Sequence, residues 1–140
     1  MKISEPMARA LLQRAEEARA AAYCPYSGFA VGAALLCGDG TVYGGCNIEC
    51  ASLSPGNCAE RTAFFQAVAQ GQRRFVAIAV TGGPAGQAPD SLCAPCGVCR
   101  QVMREFCGQD FEIVMTDGKE LTVKTLAELL PMAFGPDNLK

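Results

Sequence analysis

The sequence predicts an α/β protein in which one mixed five-stranded sheet lies between helices on both faces. The first observation is the order of periodic segments along the 140 residues: helix, strand pair, helix, strand, helix, strand pair and helix. The second is FVAIAVTG (75–82), a continuous apolar run of the kind found in strands buried on both faces. The third is a glycine-containing turn between the strands of each pair, which favours hairpins.

The first predicted element is an amphipathic helix at residues 4–23. Ser4 can cap this helix, and Pro6 suits its first turn. Four apolar residues recur on one face at helical spacing: Met7, Leu11, Ala15 and Ala18. We therefore expect this face to pack on the sheet.

The next elements are a strand pair and a second helix. FAVGAALLC (29–37) and TVYGGCNI (41–48) flank the turn signal Gly38-Asp39-Gly40. CAERTAFFQAVAQG (58–71) has helical periodicity and ends in a glycine suited to the position after a helix.

The second half of the chain continues after the buried strand at 75–82. A loop rich in glycine and proline leads into the helix GVCRQVMREF (97–106). EIVMT (112–116) and ELTVKT (120–125) form the last strand pair, and TLAELL (125–130) is a short helix that stops at Pro131. The remaining tail shows no regular pattern.

Composition favours one globular domain over residues 1–140 that acts in the cytoplasm. Half of the residues are apolar, and the N-terminal segment carries charges throughout, unlike a signal peptide. The apolar run AVGAALLC (30–37) is too short to cross a bilayer. The net charge of −2 leaves no basic face for a nucleic-acid backbone. We expect neither a membrane nor a nucleic-acid polymer as a partner.

The chain contains nine cysteines and no histidine. An odd number of cysteines without a secretion signal favours reduced thiols and metal ligation over a disulfide framework. The positive end of a helix dipole stabilises the thiolate that a metal needs, so cysteines at predicted helix starts are the first candidates.

Three cysteines meet that condition. Cys58 opens one predicted helix, and Cys96 and Cys99 lie in the first turn of the next, where residues i and i+3 share a face. Three protein ligands plus a water are the pattern of a catalytic zinc site. Such a site needs an acid/base, and Glu60 follows two residues after Cys58.

Two other cysteine sets remain open at this point. LCAPCGVC (92–99) adds Cys93 at the same spacing of three, and it matches the first three ligands of a ferredoxin-type run. Met103 stands where the fourth cysteine of that run belongs. The same three cysteines could instead form a structural zinc site with Cys46 or Cys50.

Cys58-Ala59-Glu60 followed by Pro95-Cys96-Gly97-Val98-Cys99 resembles the zinc nucleoside-deaminase signature. The chain also resembles the small homotetrameric cytidine deaminases over nearly its whole length. Five stretches match in order: CPYSGFAVGAALL (24–36), NIECAS (47–52), NCAERTAF (57–64), PCGVCRQVMREF (95–106) and LLPMAFGPDNL (129–139). The resemblance implies the three-layer cytidine deaminase-like fold and a hydrolase acting on small pyrimidine nucleosides.

The resemblance also implies a mechanism. One zinc ion per chain, held by Cys58, Cys96 and Cys99, activates a water that attacks C4 of the cytosine ring. Glu60 takes the proton of the water, protonates N3 and helps to protonate the departing amine. Cytidine and 2′-deoxycytidine become uridine and 2′-deoxyuridine with release of ammonia, a reaction of pyrimidine salvage. Arg61 hydrogen-bonds a ligand sulfur and draws off negative charge.

Five further residues are implied as substrate contacts. Asn47 and Glu49 hold the base or ribose and the 3′-hydroxyl, and Phe29 stacks on the pyrimidine. Ala51 and Phe134 match positions that the family contributes across subunit interfaces, so the implied assembly is a homotetramer with shared active sites.

Three residues depart from the common pattern of the family: Cys50, Leu53 and Ala94. Leu53 takes the place of a common tyrosine, and the loss of a ring could widen the space around the exocyclic amine. The alternative is therefore a deaminase of the same fold that acts on N4-substituted cytidines or on a nucleoside antibiotic.

Overall fold

The computed structural model describes residues 2–140, so Met1 of the predicted domain lies outside it. The helices are α1 (Glu5–Arg19), α2 (Ala59–Ala69), α3 (Gly97–Phe106) and α4 (Leu126–Leu129). The strands are β1 (Phe29–Cys37), β2 (Val42–Cys46), β3 (Phe75–Pro84), β4 (Glu112–Thr116) and β5 (Leu121–Thr125). Every predicted helix and strand is present, in the predicted order.

The five strands form one mixed sheet in the order β2-β1-β3-β4-β5. β1 pairs antiparallel with β2 and β3, β3 pairs parallel with β4, and β4 pairs antiparallel with β5. Gly40 and Gly118, in the two hairpin turns, have φ of +90° and +98°, a region that side chains other than glycine rarely adopt. The predicted fold class and both hairpins are confirmed.

Helices cover both faces of the sheet. α1 packs on one face, over a cluster that includes Ala34, Ala79 and Val114. α2 and α3 pack on the other face, where Phe64 and Met103 are fully buried. β3 is buried through its central residues, as its continuous apolar sequence predicts.

α1 begins as predicted and ends earlier than predicted. Ser4 caps it by accepting a hydrogen bond from the Met7 amide at 3.3 Å. The helix stops at Arg19 rather than at residue 23, because the backbone of Tyr23 forms hydrogen bonds with a different segment of the chain. Its amide donates to the Asn47 carbonyl at 3.0 Å, and its carbonyl accepts from the Glu49 amide at 2.9 Å.

The face of α1 that packs on the sheet matches the predicted one at Leu11 and Ala15 and differs from it at Met7 and Ala18. Met7 is 44% exposed, so its predicted place in the core is wrong, and Ala18 is only half-buried. A Cβ on Gly32 of β1 would lie 2.0 Å from the Ala15 carbonyl oxygen, so the helix backbone rests directly on the strand. That contact selects small residues and rotates Met7 outward. The buried residues of α1 are Ala8, Leu11, Ala15 and Arg19.

Smaller differences concern element ends. β2 stops at residue 46 rather than 48, and β3 continues to residue 84 rather than 82. The tail, predicted without regular structure, contains one 3-10 turn at Pro136–Asn138. Within residues 2–140, none of the helices has the length and apolar character needed to cross a bilayer.

Candidate active site

Three thiols meet where the N-termini of α2 and α3 come together. Cys58 and Cys96 are the N-cap residues of the two helices, and Cys99 lies in the first turn of α3. The three Sγ atoms lie within 4.8 Å of one another, with 3.8 Å between those of Cys58 and Cys96. Neither N-cap sulfur accepts a capping hydrogen bond from the backbone amides of its own helix.

The surroundings favour a thiolate in this cluster. A hydrogen bond from the Cys99 thiol and a second from Arg61 lower the pKa of Cys58 well below the usual range. The bond to Cys58 and burial raise the pKa of Cys99, which therefore holds the shared proton. Cys58 and Cys99 would both be available as thiolate ligands to a divalent cation once this proton was released on binding.

Arg61 lies beside the cluster. Its Nη2 donates to Cys58 Sγ at 3.2 Å, from one turn further along α2. A guanidinium at this distance offsets part of the negative charge that several thiolates bring together.

Glu60 faces the same site from the first turn of α2. Its side chain is 4% exposed, and burial raises the pKa of its carboxyl to about 7. A carboxyl with a pKa near neutrality can both accept and return a proton at physiological pH. Burial and a raised pKa distinguish Glu60 from a glutamate exposed to solvent on a helix.

The alternative metal sites built on Cys93 are wrong. Among residues 2–140, the cysteines that come together as a metal-binding group are Cys58, Cys96 and Cys99. Cys93 precedes α3 in a segment without regular secondary structure, and burial raises the pKa of its thiol to about 11. Three soft thiol donors, one of them already a favoured thiolate, fit a zinc ion with one position left for water.

A cavity of about 330 Å³ opens over the thiols and Glu60. Its volume lies within the range of small-molecule sites. It brings together six of the residues singled out from the sequence: Phe29, Asn47, Glu49, Cys58, Glu60 and Cys96. Residues from β1, from the chain after β2, from α2 and from the loop before α3 therefore share one space.

Asn47 is held by the backbone of β1. Its Oδ1 accepts from the Val31 amide at 2.8 Å, and its Nδ2 donates to the Phe29 carbonyl at 2.8 Å. These two bonds continue the β1–β2 pairing past the end of β2. The amide group keeps one N–H and one lone pair for another partner.

Glu49 is bound by the turn before β1. Its carboxylate accepts from the amides of Tyr26 and Ser27 at 3.0 and 3.2 Å and from the Ser27 hydroxyl at 2.5 Å. The Ser27 hydroxyl is the main cause of a lowered pKa for Glu49, so the carboxylate is charged near neutral pH. Sequence reasoning missed Ser27. The signal was a serine two residues before a predicted strand, where its hydroxyl accepts from the Phe29 amide at 3.0 Å.

Residues 6–115 match the family model of the cytidine and deoxycytidylate deaminase zinc-binding region. The match covers more than half of the chain. The chain belongs to this deaminase family.

Individual relatives agree. The cytidine deaminase of Sporosarcina psychrophila is 48% identical over 92% of this chain and 92% of its own length. The crystal structure of cytidine deaminase from Burkholderia pseudomallei is 46% identical, covers 94% of this chain and all of its own, and has a TM-score of 0.83. The blasticidin-S deaminase of Bacillus cereus is 30% identical over 74% of this chain and 76% of its own length.

Two of the five expected substrate contacts do not line the cavity of this deaminase within its own chain. Ala51 is exposed, and the ring of Phe134 is 59% exposed. The Phe134 carbonyl accepts from Gln101 Nε2 at 2.8 Å, which holds the tail on α3 with the ring on the surface. Their contribution to a neighbouring pocket stays a prediction.

The departures Cys50 and Leu53 border a second cavity of this deaminase. It has a volume of about 320 Å³ and shares Asn47, Glu49 and Cys58 with the first. Leu53 is 79% exposed on its rim. Ala94, the third departure, lines the first cavity.

Proposed function

We propose that this chain is a zinc-dependent cytidine deaminase, converting cytidine and 2′-deoxycytidine to uridine and 2′-deoxyuridine with release of ammonia, as in pyrimidine salvage. One observation carries the proposal. A buried carboxyl, Glu60, shares a nucleoside-sized cavity with the thiol cluster on one side and with Asn47 and Glu49 on another. Hydrolysis of an amidine needs a nucleophile, a proton carrier and a means to orient the ring, and these three parts meet here.

The metal and the proton carrier have separate roles. Cys58, Cys96 and Cys99 would hold the zinc ion, which when bound would supply the Lewis acidity that makes water a nucleophile near neutral pH. Glu60 accepts the proton of the attacking water and passes it to N3 of the cytosine ring. It then carries the proton of the new C4 hydroxyl to the exocyclic nitrogen, so that the C4–N bond breaks, the C4 carbonyl forms and ammonia leaves. Its buried carboxyl suits both directions of transfer, because its pKa lies near 7.

Asn47, Glu49 and Phe29 orient the nucleoside. The free N–H and lone pair of Asn47 contact the base or ribose, and its bonds to β1 fix their direction. The Glu49 carboxylate accepts from the 3′-hydroxyl, which favours free nucleosides over 3′-phosphorylated polymers. The Phe29 ring, 40% exposed at the cavity, stacks on the pyrimidine.

The functional unit is a homotetramer in which neighbouring subunits complete each site. The support is a set of exposed apolar side chains on a chain of this size. Those at the second cavity or on the tail are Tyr26, Leu53 and Phe134, and those on the outer faces of α2 and α3 are Phe65 and Val98. Ala51 and Phe134 of one subunit reach the substrate site of another.

Residues 1–140 act as one domain in the cytoplasm, with neither a membrane nor a nucleic-acid polymer as a partner. The nine cysteines are all free thiols, which suits a reducing compartment. The net charge of −2 suits a small-molecule substrate rather than a phosphate backbone.

An ultraviolet assay that follows cytidine to uridine tests the proposed activity. We expect turnover of both cytidine and 2′-deoxycytidine by purified protein, lost after removal of zinc with a chelator and restored by added zinc. Zinc-loaded protein that turns over neither nucleoside contradicts the proposal.

A deaminase for N4-substituted cytidines or a nucleoside antibiotic is the second candidate. It is favoured by the exposed Leu53 at the rim of the second cavity and by the similarity to blasticidin-S deaminase. Comparison of N4-methylcytidine, blasticidin S and cytidine as substrates separates the two. Higher kcat/KM for either of the first two would favour this candidate, and a strong preference for cytidine would exclude it.

Replacement of Phe134 tests the shared site. We expect wild-type protein to run as a tetramer of 14.7 kDa chains. Phe134→Ala should raise the KM for cytidine by about tenfold, because it removes an aromatic contact supplied across the interface. The matched control is Leu139→Ala, which truncates another exposed apolar residue of the tail. Full activity in a demonstrated monomer would contradict the shared site.

A further inference from the structure

Arg19 is buried at the end of α1, and the proposed mechanism gives it no role. Its side chain is 6% exposed. Its guanidinium donates to the backbone carbonyls of Ala30, Pro84 and Gln87, each at 2.8 Å. It also pairs with Glu16 at 2.9 Å. One side chain therefore joins the end of α1, the start of β1, the end of β3 and the loop that follows.

The hydrogen bond from Arg19 to the Ala30 carbonyl restrains β1, the strand that lines part of the substrate cavity. Phe29 and Val31 line that cavity, and Ala30 lies between them on β1. Because successive strand residues point to opposite faces, Ala30 faces α1 while its two neighbours face the site. Phe29 is paired in register with Pro84, whose carbonyl is a second acceptor of Arg19. The guanidinium therefore holds the start of β1 and the end of β3 from the face of the sheet opposite the cavity.

The hydrogen bond from Arg19 to the Gln87 carbonyl restrains the loop that completes the same wall of the substrate cavity. Residues 85–92 run from the end of β3 to Cys93, which lines the substrate cavity. A cavity of about 440 Å³ lies beside Arg19 and residues 85–88, so the loop has space to move if its bonds are lost. Gly83 leaves room for the guanidinium, since a Cβ there would lie 3.2 Å from Arg19 Nη2.

We infer that Arg19 is a positioning residue for substrate binding, acting through the backbone on the wall formed by Phe29, Val31 and Cys93. The inference rests on the proposed function, because its kinetic consequence concerns the nucleoside. Arg19 belongs neither to the thiol cluster nor to the lining of the substrate cavity. Its loss should therefore change how well substrate is held more than how fast the held substrate reacts.

Arg19→Lys is the direct test. Lysine keeps the charge, but an ammonium group cannot reproduce a planar fork aimed at three carbonyls. We expect the KM for cytidine to rise by about tenfold, with kcat per bound zinc changed by less than about threefold. Hydrogen–deuterium exchange should become faster in residues 28–31 and 84–93, and the zinc content should remain that of the wild type.

Two further variants separate positioning from general stability. Leu11→Ala removes a buried side chain from the same helix, so it should lower Tm and leave the KM unchanged. Gly83→Ala places a methyl group 3.2 Å from Arg19 Nη2 and from Pro89 Cα, so it should raise the KM while the charge of Arg19 is intact.

A wild-type KM in Arg19→Lys, or unchanged exchange in residues 28–31 and 84–93, would overturn the inference. An equal rise of KM in Leu11→Ala would also overturn it. If wild-type protein fails to deaminate cytidine, the proposed function fails, and the exchange measurement still decides whether Arg19 holds the wall.

Discussion

Replacement of Glu60 by glutamine should lower kcat for cytidine by about 10³-fold or more while zinc stays bound, at the upper end of the range for general acid–base catalysis. Glutamine keeps nearly the same shape, but it cannot accept a proton from the attacking water or deliver one to N3. Glu60 is buried in the cavity beside the thiol cluster, so no bulk water replaces it in this role. Steady-state kinetics together with zinc content per chain measure the effect.

Glu112→Gln is the matched control. Glu112 is the other buried glutamate of residues 2–140. It accepts hydrogen bonds from the amides of Lys2 and Ile3, and it does not line the substrate cavity. Its replacement should lower Tm and leave kcat of the folded protein within about threefold, since it removes a structural hydrogen bond only. Near-normal turnover by zinc-loaded Glu60→Gln would contradict the proposed role of Glu60 as the proton carrier.

Cys96→Ser and Cys99→Ser should each lose most of the bound zinc and, with it, nearly all deaminase activity. Wild-type protein should carry about one zinc per chain, and a hydroxyl is a far weaker zinc ligand than a thiolate. Cys58→Ser should behave in the same way. Elemental analysis of purified protein gives the zinc content directly, without reference to activity.

Cys93→Ser is the control that the sequence itself provides. Cys93 has the same spacing of three to Cys96 that Cys96 has to Cys99, yet it lies outside the thiol cluster. We expect the Cys93→Ser protein to keep its zinc. Loss of zinc from this variant with retention in Cys96→Ser would show that the ligand set is wrong.

Local sequence was sufficient for the elements that depend on neighbours along the chain. The turn glycines Gly40 and Gly118 mark both hairpins, because positive φ is accessible to glycine at low cost. α3 has the predicted bounds, and Cys96 and Cys99 share one side of its first turn because helical spacing puts residues i and i+3 together. Cys58 was a candidate because it opens a predicted helix, with Glu60 two residues after it, and the resemblance to a known family favoured this set over those built on Cys93.

Tertiary structure decided what spacing alone leaves open. Cys93 and Cys99 are equally far from Cys96 in sequence, but only Cys99 lies in a helix, and a spacing of three puts residues on one side only within a helix. Cys58 joins the cluster because α2 and α3 pack on the same face of the sheet with their N-termini together. The close approach of α1 to Gly32 sets the rotation of this helix, so that Met7, predicted to lie in the core, is exposed and Arg19 is buried. Periodicity reports the apolar stripe of a helix, whereas the rotation of that helix is set by how closely its backbone can approach the strand beneath it.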